Sequence, residues 1–306
     1  MHYFESEVSR QLYKFNKDRI LAGFSPNVLC DKSVFLDFIS TAYKLRDTLK
    51  PYIFSSIYDK KESDIDDYNF DTVYEYNVLP KIIIYTCILG GYDIVKEPFF
   101  KNKLYDFVLI TDSPQKKNSS WKNIYIKDLI NIIPTNLDNI SLNRWVKMHP
   151  HKLFPEYEYS IYVDGSVTLV TDMLPIILSQ EKEKKFLGMH LHSCRNFLMS
   201  EARALLKCKK CSDKNALNQQ IEKYYKEGFD DSIKLLEATI IVRKHNDGQC
   251  AKIMEEWWNE FIGGVPRDQI SLPYVLWKNG IKMEDIYILG NNEYRNPRFY
   301  INKHNV

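Results

Sequence analysis

The chain has 306 residues, of which 44% are apolar and 27% charged, and its formal net charge is +2. This composition is typical of a globular protein, and it excludes a dedicated nucleic-acid-binding protein, which would carry a strongly basic face. No apolar run approaches the roughly 20 residues that span a bilayer, and the first residues show no signal-peptide pattern. We therefore expect a cytoplasmic protein, with peripheral contact at the inner membrane face left open.

Residues 1–78 differ in pattern from the rest of the chain. Two stretches in this region have apolar residues at three- and four-residue spacing, which predicts two amphipathic helices, and the acidic run DKKESDIDDYNFD (59–71) is typical of a solvated linker. We predict a helical extension over 1–78 and one main domain over 79–306. The extension is either a cap on that domain or an arm, which would join copies of the chain or bind a membrane surface or a polysaccharide-assembly partner.

From residue 80 onward, strand and helix patterns alternate. We predict strands over 82–89, 106–112, 121–128, 159–166, 184–192 and 235–246, and helices over 139–154, 248–262 and 267–280, with a further helical stretch that ends near 227. Such alternation indicates an α/β fold with a mostly parallel central sheet and helices on both faces.

Polar residues and glycines follow the predicted strands, where ligands bind in sheets of this kind. They are Thr86 with the turn GGYD, Thr111 and Asp112, Asp164-Gly165-Ser166, His190 and His192, and His245-Asn246. A purely structural sheet would not need polar groups at so many strand ends, so together they predict a site.

Three common site motifs are absent from the sequence: GxGxxG after the first strand, GxxxxGK[ST] and GxSxG. The kind of site that remains is one for a nucleoside diphosphate held through Mg²⁺ or Mn²⁺. These ions prefer carboxylate and phosphate oxygens, which the strand ends and the ligand would supply. Asp164 would bind the ion, and Gly165 would leave room for the diphosphate. Arg144 and Lys147 share one helix face; they either neutralise leaving-group phosphate or lie on a solvated face.

Eight motifs carry a family resemblance. In chain order they are YTCILGGYD, LITD, NRWVKMHPHKLFPEYEYSIYVDGS, HLHSCRNFLMSEA, YYKEGF, LLEATIIVRKHND, EEWWNEF and RDQISLPYVLWKNG. This order resembles a glycosyltransferase-like family whose plant members include mucilage-related galacturonosyltransferases and whose bacterial members were long called a domain of unknown function. The resemblance runs from about 82 to 280 and leaves the first 78 residues uncovered.

The resemblance implies a GT-A-like sandwich that binds a UDP-sugar together with Mn²⁺ or Mg²⁺. In such enzymes a DxD motif ends the fourth strand and holds the metal, and here Asp164-Gly165-Ser166 stands in its place. Ser166 replaces the second acid, and a hydroxyl is a poorer ligand than a carboxylate. A later histidine would complete the metal site; His304 is the better placed by order, and His245 is the alternative.

The resemblance also assigns roles to the remaining site residues. Asp268 would bind donor-sugar hydroxyls, although an acid at a helix start can equally cap free N–H groups. Glu237 would lie near the reacting carbon or be a surface acid. His192 and Arg195 would line the sugar or acceptor pocket, with Glu201 holding Arg195. The remaining donor contacts would come from Thr86, Gly90, Tyr92, Asp112 and Gln269.

The resemblance thus implies a metal-dependent glycosyltransferase that moves sugar from a UDP-sugar to a saccharide or glycolipid acceptor, with retention of configuration, in surface polysaccharide synthesis. The alternative is a non-catalytic scaffold or a nucleotide-sugar-binding subunit of a polysaccharide-assembly complex, and the altered DxD motif would be the signature of the scaffold. A hydrolase is disfavoured, because the sequence contains neither a nucleophile arrangement nor a zinc cage.

Overall fold

The computed structural model describes residues 80–302, except 100, 102, 115–118, 209, 212, 291, 292 and 297. The predicted extension 1–78, its boundary with the main domain, and His304 lie outside the described residues. Among the helices that are described, none combines the length and apolar character needed to cross a membrane.

Seven strands form the central sheet, in the order β3-β2-β1-β4-β7-β6-β8. They are β1 (Ile82–Ile88), β2 (Tyr105–Thr111), β3 (Lys122–Tyr125), β4 (Tyr159–Val163), β6 (Leu187–Leu191), β7 (Leu236–Arg243) and β8 (Ile286–Gly290). All run parallel except β7, which is antiparallel to both neighbours. The predicted α/β fold with a mostly parallel sheet is confirmed. Two short strands, β5 (Val167–Leu169) and β9 (Phe299–Ile301), pair separately.

Seven helices accompany the described sheet. They are α1 (Asn139–Met148), α2 (Pro150–Leu153), α3 (Leu174–Lys182), α4 (Leu198–Lys207), α5 (Lys214–Lys226), α6 (Gly248–Ile262) and α7 (Asp268–Lys278). The helix predicted over 139–154 is divided at His149, because Pro150 disfavours helical geometry in the residue before it. The helical stretch predicted to end near 227 is also two helices, α4 and α5.

The core lies on both faces of the sheet. In β1, Ile82 and Ile84 belong to one apolar cluster and Ile83 and Tyr85 to the other, and every residue of the strand is buried. Burial on both faces explains why this strand is a continuous apolar run rather than an alternating one.

The direction of β7 decides which of its ends reaches the site. Ser160 pairs with Arg243 and Val163 pairs with Ile240, so β7 begins where β4 ends. Glu237, near the start of β7, therefore lies at the carboxyl edge of the parallel strands. The expectation that His245 shares this edge does not hold, because it assumed a parallel strand. His245 lies beyond the far end of β7, past Arg243, which pairs with Ser160 near the start of β4, and its Nε2 lies 3.0 Å from the carbonyl oxygen of Phe154.

Candidate functional site

A buried lysine joins two acids at the centre of the site. The Nζ atom of Lys147 lies 3.4 Å from Oδ1 of Asp164 and 3.2 Å from Oδ2 of Asp268, and its side chain is only 1% exposed. Nε of Arg144 is 3.0 Å from the same oxygen of Asp268. The solvated-face interpretation of Arg144 and Lys147 is therefore wrong. Both cations pair with protein carboxylates.

Three elements hold Lys147 in this position. At the start of α1, Asp138 accepts a hydrogen bond from the backbone N–H of Ser141 (2.7 Å), which caps the helix. Near its end, the carbonyl oxygen of Lys147 accepts from the Tyr85 hydroxyl (2.9 Å) and from Nη1 of Arg243 (2.8 Å). Strands β1 and β7 thereby fix the last turn of α1 from beneath.

Asp268 opens α7 and points its carboxylate at these cations. Arg267, the residue before α7, makes no capping hydrogen bond, whereas the Asp268 carboxylate accepts a hydrogen bond from a backbone N–H at the helix start, so the capping interpretation of Asp268 holds beside its pairing with the cations. Burial alone would raise the pKa of Asp268, but the positive charges of Arg144 and Lys147 outweigh burial and hold that pKa well below its usual range. Asp268 is ionised at neutral pH.

Asp164 follows β4, and its side chain is 33% exposed. Its backbone N–H donates to the carbonyl oxygen of Thr239 (2.9 Å), and its Oδ1 accepts from the Tyr162 hydroxyl (2.8 Å). Among the described residues, no hydrogen bond or ion pair reaches Oδ2. Asp164 is thus held through one carboxylate oxygen, and the other is available to a ligand.

The turn after Asp164 is tightly packed. A Cβ atom on Gly165 would lie 2.8 Å from Cδ1 of Ile88, so close approach of β1 already requires glycine there. Ser166 is buried, and its carbonyl oxygen accepts two hydrogen bonds from Asn302, both 2.8 Å. The expected role of Gly165, room for a diphosphate, is not needed to explain this glycine.

A second group of polar side chains lies beside the first. Nε2 of Gln269 donates to Oε2 of Glu237 (2.7 Å), and Nδ1 of His192 lies 3.5 Å from Oε1 of Glu237. Nη2 of Arg195 is 2.7 Å from Nε2 of His192, and its Nε donates to Glu201 (2.5 Å). Burial lowers the pKa of His192, although the charge of Glu237 partly offsets this. Glu237 is a buried member of the site and not a surface acid.

The residues expected to contact the nucleotide are only partly brought together. The backbone N–H of Gly90 donates to Oδ2 of Asp112 (2.8 Å), and Gly90 has a φ of 61°, which favours glycine. Tyr92 is exposed, whereas Thr86 is buried within β1. The Thr86 side chain therefore does not reach the surface of the site.

An open groove adjoins Asp112 at the ends of β2 and β3. It has a volume of about 610 Å³ and is lined by Asp112, Pro114, Tyr125, Ile126 and Lys127. Its walls combine an aromatic ring, a cation and a carboxylate, which are suitable partners for a heterocyclic base and ribose hydroxyls.

One site residue was missed by sequence reasoning. Glu293 begins a short helical turn (Glu293–Arg295) beyond β8 and is 2% exposed. Burial and the neighbouring charge of Glu237 raise the pKa of the Glu293 carboxyl to about 7. β8 was not predicted as a strand. Had it been, the rule that ligands bind beyond strand ends would have drawn attention to Glu293.

The described site carries an excess of negative charge. The site contains five carboxyl groups and three permanently charged cations. The carboxyl groups are those of Asp164, Glu201, Glu237, Asp268 and Glu293, and the cations are Arg144, Lys147 and Arg195. Such a field attracts a divalent cation and repels a bare phosphate.

The same residues show how a metal ion fits. Within the described part of the chain, no three His, Cys, Asp or Glu side chains are grouped to hold a metal. Mg²⁺ and Mn²⁺ can be bound through one or two carboxylates plus substrate phosphates, so the exposed carboxylate of Asp164 fits an ion that arrives with a diphosphate.

A parallel α/β sheet with acids and buried cations at its carboxyl edge defines a protein with a polar ligand site at that edge. A model of the TOD1/MUCI70 glycosyltransferase-like domain matches residues 57–299, and the chain belongs to this family. The family resemblance of the eight motifs is thereby confirmed, but the match begins at residue 57, so the expectation that the first 78 residues lie outside it is wrong for residues 57–78.

Individual relatives are more distant. The chain is 29% identical over 170 residues to "Alkaline ceramidase TOD1" of Arabidopsis thaliana. The aligned region covers 52% of this chain and 34% of that protein. The bifunctional glycosyltransferase WbbM is similar in structure, with 10% identity and a TM-score of 0.43 over 70% of this chain and 39% of that one. The galactosyltransferase LgtC, solved with donor and acceptor sugar analogues, has 14% identity and a TM-score of 0.35. The match covers 68% of this chain and 72% of LgtC.

Proposed function

We propose that the protein transfers a sugar from a UDP-sugar to a saccharide or glycolipid hydroxyl, assisted by Mn²⁺ or Mg²⁺. Family membership supports the glycosyltransferase class. The observation that carries the proposal is the meeting of Asp164 and Asp268 on the single buried ammonium of Lys147, at the sheet edge where α/β proteins bind ligands.

The nucleotide is assigned to the groove beside Asp112. The uracil ring would pack against Tyr125, and the ribose hydroxyls would bind the carboxylate of Asp112, which Gly90 already orients. The diphosphate would then extend toward Asp164. A divalent ion at Asp164 supplies the positive charge that stabilises the departing diphosphate.

The sugar is assigned to the group around Glu237. Asp268 is ionised and oriented by two cations, so it can accept hydrogen bonds from sugar hydroxyls. Gln269 and the backbone N–H of Ser193 donate to Glu237 and fix the direction of its carboxylate. Arg195, paired with Glu201, would bind a carboxylate of a uronic-acid donor or an acidic acceptor.

In the reaction, the bond between the anomeric carbon and the diphosphate oxygen breaks, and a bond from the acceptor oxygen to that carbon forms. The acceptor hydroxyl proton leaves with UDP or passes to a carboxylate of the site. We expect retention of configuration, which an NMR spectrum of the first-formed product anomer measures.

Binding of UDP and metal is the first test. A hundredfold excess of UDP over its dissociation constant, with Mn²⁺, should stabilise the protein by roughly 2.7 kcal/mol. Because the site is negatively charged, chelation of Mn²⁺ should weaken UDP binding about 5- to 150-fold in calorimetry. Absence of any nucleotide effect contradicts the proposal and favours the non-catalytic scaffold.

Turnover is the second test. A screen for UDP release across UDP-sugars, uronic acids included, should identify a donor, and Asp164→Asn should abolish metal-dependent release while leaving circular dichroism unchanged. Full release by this variant refutes the metal assignment. Ceramide in the same assay, followed by mass spectrometry, checks the activity named for the plant relative.

A further inference from the structure

A short turn beyond β8 brings a buried acid over the site. Glu293 stands on this turn, and its carboxyl group is hydrogen-bonded by the side chain of Thr239 on β7. Nδ2 of Asn296 lies 2.8 Å from Nε2 of His190 and so attaches the end of the turn to β6. Contacts with two central strands therefore hold Glu293 in place.

One oxygen of this carboxyl group lacks a partner. Oε2 of Glu293 is buried and meets no donor at hydrogen-bond geometry within the described residues, although the neighbouring Tyr294 hydroxyl interacts with the same carboxyl group. The carboxyl is also close enough to Glu237 and Asp164 to be affected by their negative charges. A buried acceptor without a partner is unfavourable, and native proteins retain such groups mostly where a ligand or ordered water completes them.

The surroundings restrict what that ligand is. A phosphate would be repelled by Glu237, Asp164 and Glu293 together. A sugar hydroxyl is uncharged, and it can both donate and accept a hydrogen bond. The position of Glu293 beside Glu237, on the side assigned to the sugar, agrees with this chemistry.

We propose that Glu293 binds a hydroxyl group of the transferred sugar through Oε2 and thereby selects the donor, an inference that rests on the proposed function. A hydroxyl suits the group in either protonation state, because it donates to a carboxylate and accepts from a carboxylic acid. The pKa of about 7 means that both states occur near neutral pH.

Comparison of two ligands isolates this contact. In Glu293→Ala, we expect the affinity for the UDP-sugar preferred in the donor screen to fall about tenfold to a hundredfold, as for loss of a hydrogen bond to a charged group. The affinity for UDP itself should change less than about twofold, because UDP lacks the sugar. Glu284→Ala is the matched control, since its side chain is 74% exposed and pairs only with Lys282 among the described residues.

A set of deoxy analogues of the same UDP-sugar identifies the hydroxyl. The analogue that lacks the hydroxyl bound by Glu293 should bind the wild type less tightly than the parent UDP-sugar does. The same analogue and the parent UDP-sugar should bind Glu293→Ala equally well. Glu293→Leu, which nearly fills the same space but cannot form a hydrogen bond, repeats the comparison if the alanine variant does not fold. Unchanged UDP-sugar affinity, or an equal loss for UDP and UDP-sugar, overturns the inference alone. A wild type that binds neither UDP nor any UDP-sugar overturns the proposed function as well.

Discussion

Lys147 places a buried ammonium group between two carboxylates that lie far apart in the sequence. Lys147 and Asp268 are separated by 121 positions. Removal of one member of a buried ion pair leaves an uncompensated charge, which typically costs about 3–5 kcal/mol. The site and the stability of the fold therefore depend on the same side chain.

Lys147→Met should lower the free energy of unfolding by up to about 3 kcal/mol, because Asp268 would keep only Arg144 as its cation and Asp164 would lose its buried ion-pair partner. Urea denaturation followed by circular dichroism measures this change. Lys226→Met is the control, with a side chain that is 80% exposed, and should change stability by less than about 0.5 kcal/mol. Equal stabilities for the two variants would show that the acids do not need Lys147.

Glu293 should make stability fall with rising pH. Its pKa is raised from 4.5 to about 7, so the folded protein keeps a proton that the unfolded chain has already lost between these values. Stability therefore decreases as pH rises through this range and levels off above it. Asp268 acts in the opposite sense: its lowered pKa contributes stability that is lost as pH falls below 3.8.

Glu293→Gln should remove the decline between pH 4.5 and about 7, since glutamine does not titrate. Urea midpoints at half-unit pH intervals measure the slope, and Glu284→Gln serves as the exposed control. If the urea midpoints of Glu293→Gln decline with pH as steeply as those of the wild type, the decline comes from another titrating group.

At the level of elements, Arg243 connects β7 to the end of α1. Its side chain is 0% exposed, and it donates to the carbonyl oxygen of Lys147 and to the Tyr85 hydroxyl (2.5 Å). No carboxylate pairs with Arg243 among the described residues. A buried cation of this kind is costly for stability, which indicates that its value lies in positioning the last turn of α1.

Arg243→Met should therefore leave stability unchanged or raise it, while lowering kcat by up to about a hundredfold, the effect of a displacement of about 1 Å in a site. The KM for the donor should change little, because Arg243 does not touch the assigned ligand groove. Steady-state kinetics with the donor from the screen separate the two constants. A parallel loss of stability and unchanged kcat would make Arg243 a structural residue only.

The elements themselves were largely predictable, and their directions were not. Apolar runs in β1, β2 and β4 indicate buried strands whatever their orientation. β7 is buried on both faces like its parallel neighbours, so its sequence pattern contains no information about its antiparallel direction. This explains why Glu237 could be identified as a candidate while His245 was wrongly placed beside it.

At the scale of the whole molecule, the sequence predicted most members of the site but few of their contacts. The carboxyl-end rule identified Asp112, Asp164 and His192, and the family resemblance identified Asp268. The pairing of Asp268 with Lys147 depends on the packing of both α7 and α1 against α6, which no local pattern records. Glu293 was missed because β8 is short and only partly buried.

The backbone of the site should open at different rates in β7, which is inside the sheet, and in the turn of Glu293, which is outside it. β7 is hydrogen-bonded on both sides, to β4 and β6, so its amide hydrogens should exchange with deuterium only when the whole fold opens. Glu237 stands on that strand, whereas Glu293 stands on a short turn outside the sheet. A sugar nucleotide that touches both acids should therefore slow deuterium uptake at the turn through direct contact, and at β7 only through its stabilisation of the whole fold.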